Sequence, residues 1–276
     1  MRAIFRSRDF GERLGIILML LIPVIIIGVV LFFVLKPNYT EGLNYELNKD
    51  GSGYTVVKYD GKDKVVEIPE RYMNKPVVAI GENAFRYNAK LETVRIPGSV
   101  KVIEKGAFES CDKLLDVTLQ SGTEVIEKGA FKNCKYITYI NLPDTLTCVE
   151  PGAFSGCIRV EEITVAEGNS KYHAESGCLI ETESKTLALG GWKSVIPEDG
   201  SVTTIGVSAF ENNGKLENVV IPKAITKIDD SAFQGCLNLR SVTYKGTSAE
   251  WDKIEIGSEN LYFEGVMRYF SSENEE

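Results

Sequence analysis

Residues 96 to 119 read IPGSVKVIEKGAFESCDKLLDVTL, and this stretch decides the fold because it returns. Its Ala107-Phe108 pair recurs as Ala84-Phe85, Ala130-Phe131 and Ala153-Phe154 at a spacing of 23 residues, and again as Ala209-Phe210 and Ala232-Phe233, also 23 apart. A fixed period in the twenties marks a solenoid, because each unit is too small to bury its apolar surface except against its neighbours. Stacking supplies the fold, and any function must come from the surface of the stack.

Cut at 72–94, 95–117, 118–140, 141–163, 196–219 and 220–242, the units align with one added residue in the fifth. An L-x-x-V-x-I pattern, as in Leu91/Val94/Ile96, Ile137/Ile140/Leu142 and Leu216/Val219/Ile221, contains a short alternating stretch suited to a parallel strand with alternate side chains in the core. Five residues before each Phe stands an aliphatic residue (Ile80, Ile103, Ile126, Val149, Ile205 and Ile228), which forms the opposite wall. A Phe at every coil, preceded by Ala that lets backbones approach, predicts a spine of stacked rings along the axis. Truncating an interior Phe to Ala should cost about 3–5 kcal/mol. The pattern predicts a β-rich repeat solenoid with 23-residue coils and one parallel strand per coil.

Working outward, the step from Phe154 to Phe210 is 56 residues, or 23 plus 33, so one coil is enlarged by about ten residues. Within residues 164–195, GCLIETESKTLALGG has two alternating arms about a polar turn and reads as a β-hairpin. Ahead of the 72–242 solenoid, residues 43–71 read as three short strands (YEL, YTVVKY, VVEIP) that cap the first apolar face as a meander. Asp50, Asp60 and Asp63 lack the spacing of a calcium loop, and Asp50-Gly51 and Asp60-Gly61 are ordinary hairpin turns. Residues 243–270 form a terminal capping unit, followed by a 271–276 tail.

The motif I-P-x-x-V-x-x-I-x-x-x-A-F-x-x-C-x-x-L-x-x-V, carried in one unit by Ile96-Pro97, Val100, Ile103, Ala107-Phe108, Cys111, Leu114 and Val117, resembles the BspA-like branch of bacterial surface leucine-rich repeat proteins. Gly168-Asn169, Tyr172 and Gly177-Cys178-Leu179 look like the hairpin insertion of that family. Tyr244, Gly246-Thr247, Trp251, Ile254, Ile256-Gly257 and Asn260 look like its terminal unit. The resemblance spans roughly residues 43 to 270 and implies export or surface display with adhesion or protein binding, without shared catalytic residues. The chain departs from the pattern at Leu119-Gln120, Asn88 and Asn213, which bears on packing. Glu259-Asn260-Leu261-Tyr262-Phe263-Glu264-Gly265 resembles a viral-protease cleavage tag with Glu where Gln is required; it continues the terminal pattern and reads as native.

The chain is 43% hydrophobic and 25% charged, with net charge -8 and pI near 5.0, which disfavours nucleic acid as a partner. Residues 14–35 are 22 residues without a charge, long enough as a helix to span about 33 Å, and predict a transmembrane helix. Arg2, Arg6, Arg8 and Arg13 precede the span and only Lys36 closely follows it, so the 1–13 tail should be cytoplasmic and the repeats extracytoplasmic at the plasma membrane, single-pass. Subtracting the tail's four Arg, Asp9 and Glu12 leaves 27 basic and 37 acidic side chains, a net charge of -10. The linker, residues 36–42, is too short to carry the solenoid far from the bilayer.

Surface positions beside each central strand residue should point outward in two lanes. One reads Thr93, Asp116, Tyr139, Glu162, Asn218, Ser241, and the other Arg95, Thr118, Asn141, Thr164, Val220, Thr243. Such mixed polar and aromatic lanes are the candidate site for a protein or glycan ligand. Cys111, Cys134, Cys157 and Cys236 each stand three residues after a Phe, with Asn88 and Asn213 completing the column. Small polar-capable residues there can satisfy backbone groups at each turn, although coils about 5 Å apart also permit disulfides. No Cys/His cluster suggests zinc, and no serine or cysteine elbow accompanies His173, the only histidine, which reads as a turn residue beside the enlarged coil. Asp229-Asp230 and Glu161-Glu162 are sequence neighbours that point to opposite faces of a strand. The sequence therefore predicts a binding protein with no catalytic residues, metal or cofactor.

Overall fold

The structure, a computed structural model, describes residues 40–271. The predicted span at 14–35, the 1–13 tail, most of the linker and residues 272–276 lie outside that range. Among the described residues no helix is long and apolar enough to cross a membrane.

The L-x-x-V-x-I columns form the expected strands. Thr93–Ile96 pairs in parallel register with Asp116–Leu119, Tyr139–Leu142 with Glu162–Val165, and Asn218–Ile221 with Ser241–Tyr244. The sequence implied one strand per coil, but each coil carries two. The aliphatic column extends into a second parallel ladder, Lys75–Ile80, Val102–Ile103, Val125–Ile126 and Cys148–Val149, resumed as Thr204–Ile205, Lys227–Ile228 and Glu255–Ile256. Two-residue strands are too short to show alternation, yet their peptide groups need partners and find them one coil away.

Residues 43–71 also differ from the expected meander. Leu43–Leu47 and Tyr54–Tyr59 do pair antiparallel, but Tyr54–Tyr59 then joins Lys75–Ile80 in parallel, and Val65–Glu67 pairs with Thr93–Ile96 rather than with its sequence neighbours. Residues 54–67 are thus the first turn of the solenoid, and Leu43–Leu47 alone lies across its end. The coil is hard to see in the sequence because Tyr59 stands where later coils have Phe; its ring lies 5.1 Å from that of Phe85.

The Phe turns share one backbone design. Two residues before and two after each Phe the chain is left-handed, at Gly106 (φ 64°) and Ser110 (φ 59°) around Phe108, for example. Gly, Asn and Ser fill most of these positions because they tolerate that conformation. The turns are locked to one another by amide bonds such as Phe108 N to Ala130 O, 2.7 Å, and Phe131 N to Ala153 O, 2.8 Å. The rings stack as expected: Phe85 on Phe108 at 4.8 Å, then Phe108 on Phe131 and Phe131 on Phe154 at 5.1 Å, and Phe210 on Phe233 also at 5.1 Å.

The spine breaks at the enlarged coil, and the buried side chains fall into two clusters on either side of it. The hairpin forms from Cys178–Glu181 and Thr186–Gly190, with Tyr172–Glu175 as a third antiparallel strand that the sequence reading missed. His173 lies in that strand rather than in a turn, its Nδ1 2.9 Å from Thr182 Oγ1. Thr186–Gly190 then continues in parallel into Thr204–Ile205. Gly190 takes the place of a Phe: its amide donates to Ala209 O at 2.9 Å, the bond that Phe85, Phe108, Phe131 and Phe210 make to the Ala of the next coil. The Phe210 ring fills the vacated space, so a Cβ on Gly190 would stand 2.0 Å from it. The Phe turns themselves skip the enlarged coil, with Gly156 N donating to Glu211 O at 3.1 Å.

At the far end Met267–Phe270 pairs in parallel with Ser241–Tyr244, so the terminal unit is another coil. The tag-like segment is built into it. Phe263 stacks on Phe233 at 4.4 Å, and the fully buried Asn260 accepts from Phe233 N at 2.9 Å while donating to Asp229 O at 2.9 Å.

Candidate recognition face

Because strand side chains alternate, Val94, Ile96, Ile140, Leu142, Val219 and Ile221 enter the core and force their neighbours out. The predicted lanes therefore face solvent, with Arg95, Asp116, Thr118, Tyr139, Asn141, Glu162, Thr164, Asn218 and Val220 exposed and Thr93, Ser241 and Thr243 half-buried. They do not form one continuous surface. The ladder is cut into three sheets, so the lanes divide into Thr93/Arg95/Asp116/Thr118, Tyr139/Asn141/Glu162/Thr164 and Asn218/Val220/Ser241/Thr243.

The middle patch brings four predicted residues together. Tyr139, 56% exposed, stands directly opposite Glu162, and Asn141 opposite Thr164, whose hydroxyl donates to Asn141 Oδ1 at 2.6 Å. In the last patch Ser241 Oγ donates to Asn218 Oδ1 at the same distance. Arg95 is engaged by Glu67 in an ion pair. The patches thus pre-order their polar groups while leaving Tyr139 as a large free ring, the kind of side chain that anchors interfaces. Val65 and Glu67 extend the lanes at one end, Met267 and Tyr269 at the other. These were missed because neither flanking coil carries the Ala-Phe beat.

The cysteine column satisfies backbone groups. Cys111, Cys134, Cys157 and Cys236 donate their thiols to the carbonyls of Phe85, Phe108, Phe131 and Phe210, one coil back, at 3.1–3.2 Å. All six cysteines are free thiols. Burial pushes Cys157, Cys178 and Cys236 up to about 12 and Cys134 well above its usual range, so these groups stay protonated and are poor nucleophiles or metal ligands. Asn88 serves its turn differently, accepting from Lys90 N and Leu91 N at 2.9 and 3.0 Å.

The acidic groups also have structural duties. Asp229 pairs with Lys227 at 2.8 Å, Asp230 accepts from Ser258 N at 2.7 Å, and Glu161 pairs with Lys193 at 2.9 Å. A carboxylate column not foreseen from the sequence runs along the Phe turns. Glu104, Glu127 and Glu150 accept from the amides of Glu82, Lys105 and Lys128 at 3.0, 2.9 and 2.8 Å. Burial, helped by Glu127 and Glu82, raises the Glu104 pKa despite that amide. Among the described residues no group of three or more His, Cys, Asp and Glu side chains is placed to hold a metal ion.

Two parallel ladders around a stacked core, with outward lanes that change from coil to coil, define a leucine-rich repeat solenoid. Within that class the chain belongs to the BspA type leucine rich repeat family, whose model matches residues 67–189 and 192–256 in six copies. Among solved structures it is similar to the Leucine Rich Repeat protein TpLRR of T. pallidum, at 25% identity over 79% of this chain and 84% of that one, with a TM-score of 0.51. A leucine rich cell surface protein of Faecalibacterium prausnitzii matches at 18% identity over 78% of this chain and 96% of its own, with a TM-score of 0.40. The pneumococcal vaccine antigen PcpA matches at 15% identity over 80% and 84%, with a TM-score of 0.48. No curated protein matches the chain.

Proposed function

We propose that this is a membrane-anchored, extracytoplasmic leucine-rich repeat protein whose strand face binds a protein or glycan ligand in adhesion or cell-surface interaction. The observation that carries the reading is the contrast between interior and exterior of one strand. The inward residues Val94, Val117, Ile140, Ile163, Val219 and Val242 are uniformly aliphatic, whereas Thr93, Asp116, Tyr139, Glu162, Asn218 and Ser241 differ in every coil. A repeated interior makes the scaffold, and a varied exterior supplies recognition. The apolar run at 14–35 and its arginine-rich flank support the anchor, and the net charge of -10 beyond the tail gives no support to nucleic acid as the ligand. Binding rather than catalysis fits a chain whose column thiols bond backbone carbonyls and whose Glu104, Glu127 and Glu150 carboxylates bond backbone amides.

The seven-residue linker, 36–42, favours a second reading in which the solenoid stays near the bilayer and contacts partners in the same cell envelope. Protease added to intact producing cells should degrade the solenoid, and in a separate experiment the untreated full chain should be captured by surface molecules of another cell. Protection in intact cells, with cleavage only after disruption, would contradict the exposed topology. Crosslinks exclusively to proteins of the producing cell would favour the second reading.

A further inference from the structure

A row of cations and rings crosses the coils on the face that follows each Phe turn. Five residues after successive Phe positions stand Lys90, Lys113, Tyr136, Arg159, Lys215 and Asn238, all exposed. The row advances one side chain per coil, and the Phe108 and Phe131 rings put neighbouring coils 5.1 Å apart. Arg159 lies over the Tyr136 ring, 4.2 Å from its centroid. The enlarged coil does not interrupt the row. It inserts Trp192, over which the ammonium groups of Lys193 and Lys215 each lie at 4.8 Å. Gly191 fits this loop against the preceding coil, close enough that a Cβ there would be 2.4 Å from Val160 O.

The charge of this row is unusual for its setting. Beyond the N-terminal tail the chain carries ten more acidic than basic side chains, 37 against 27, yet Lys90, Lys113, Arg159 and Lys215 form no ion pair with a described carboxylate. Two of these four cations are instead held over aromatic rings, which orders them without neutralising them. Cations without an ion-pair partner, set along the axis with rings between them, match a linear polymer that carries anions, and the exposed Tyr136 ring among them matches the apolar face of a sugar ring.

We propose that this row is a docking track for an acidic polysaccharide laid along the solenoid axis. Lys113, Arg159 and Lys215 take carboxylates at intervals along the polymer, and the open side of Tyr136 takes a sugar ring. The inference rests on the reading of the chain as a binding module and adds a ligand class and a face distinct from the strand lanes.

The test uses the full chain and immobilised polygalacturonate, with neutral dextran and polyglutamate as comparison polymers. Wild type should bind polygalacturonate in a salt-sensitive way and leave dextran unbound. Reversing Lys113→Glu and Lys215→Glu together should weaken binding by about a hundredfold, roughly tenfold for each charge-assisted contact. Tyr136→Ala should weaken it about fivefold with every charge retained. Lys253→Glu, an exposed reversal in the terminal coil, should leave it within about twofold of wild type. Equal affinity for polyglutamate would overturn the proposal in favour of an acidic protein partner. Failure of folded wild type to bind, or indifference to the double reversal, would overturn it outright. Because Tyr139 and its neighbours stay intact in these variants, loss of the track would leave strand-face binding unaffected.

Discussion

Phe108 and Phe131 each lie between two nearly parallel rings, whereas Phe154 and Phe210 have a stacked ring on one side and the enlarged coil on the other. The two runs of coils are otherwise built alike, with the same left-handed turns and the same thiol-to-carbonyl bonds. What differs at the joint is what carries continuity. Within a run it is ring on ring as well as backbone on backbone; across the joint the ring stack stops and the backbone bonds remain, through Gly190 N to Ala209 O and Gly156 N to Glu211 O. A solenoid can therefore admit an extra hairpin without ending, provided the turn-to-turn bonds survive and one residue gives up its side chain.

The largest effect should come from breaking the interior stack. Phe131→Ala should cost about 3–5 kcal/mol in chemical unfolding, and Phe154→Ala about 1 kcal/mol less, because it loses one ring neighbour rather than two. Equal costs would mean that the enlarged coil packs Phe154 as well as a ring does.

Alkaline pH should weaken both runs. The thiols of Cys157 and Cys236 rise from an ordinary value of 9.0 to about 12 in the folded chain. Their contribution is complete below about pH 9, where both states are protonated, and is lost as pH climbs towards 12 and only the unfolded state ionises freely. Each should contribute a slope of about 1.4 kcal/mol per pH unit in that window. Cys157→Ala should therefore flatten the decline between pH 9 and 11 by about that slope, and an unchanged profile would show that the thiol is less buried than its contacts indicate.

At the joint itself, Gly190→Ala should destabilise by about 1–3 kcal/mol, because its methyl group meets the Phe210 ring. Gly214→Ala, with nothing within 4 Å of its Cβ position, should change stability by about 0.5 kcal/mol or less. Smallest of all for stability, Tyr139→Ala on the strand face should shift unfolding by about 0.5 kcal/mol or less while reducing ligand binding.

Much of this fold was legible because stacking imposes identical demands on every coil. The 23-residue beat located the Phe spine, the inward strand positions and the hairpin in the long coil, since each repeats or visibly fails to repeat. The second ladder was hidden because Val102–Ile103 and its counterparts are two residues long and carry no alternation of their own. The end coils were hidden because Tyr59 and Phe263 join the spine outside the beat, one as a different ring and the other 30 residues after Phe233 rather than 23. On the strand face, outward direction followed from alternation at once. That Arg95 is engaged by Glu67, and that the lanes fall into three patches, depends on neighbouring coils and on breaks in backbone pairing that no single repeat encodes.

The central claim is that recognition belongs to the outward strand positions while the spine and the short ladder serve only the scaffold. A photoreactive side chain placed in turn at Tyr139, at Glu162 opposite it, and at Lys227 on the short ladder, in the full chain on intact cells, tests this most directly. The account predicts a discrete adduct from positions 139 and 162 and none from 227. An adduct from 227 with none from 139 or 162 would contradict it.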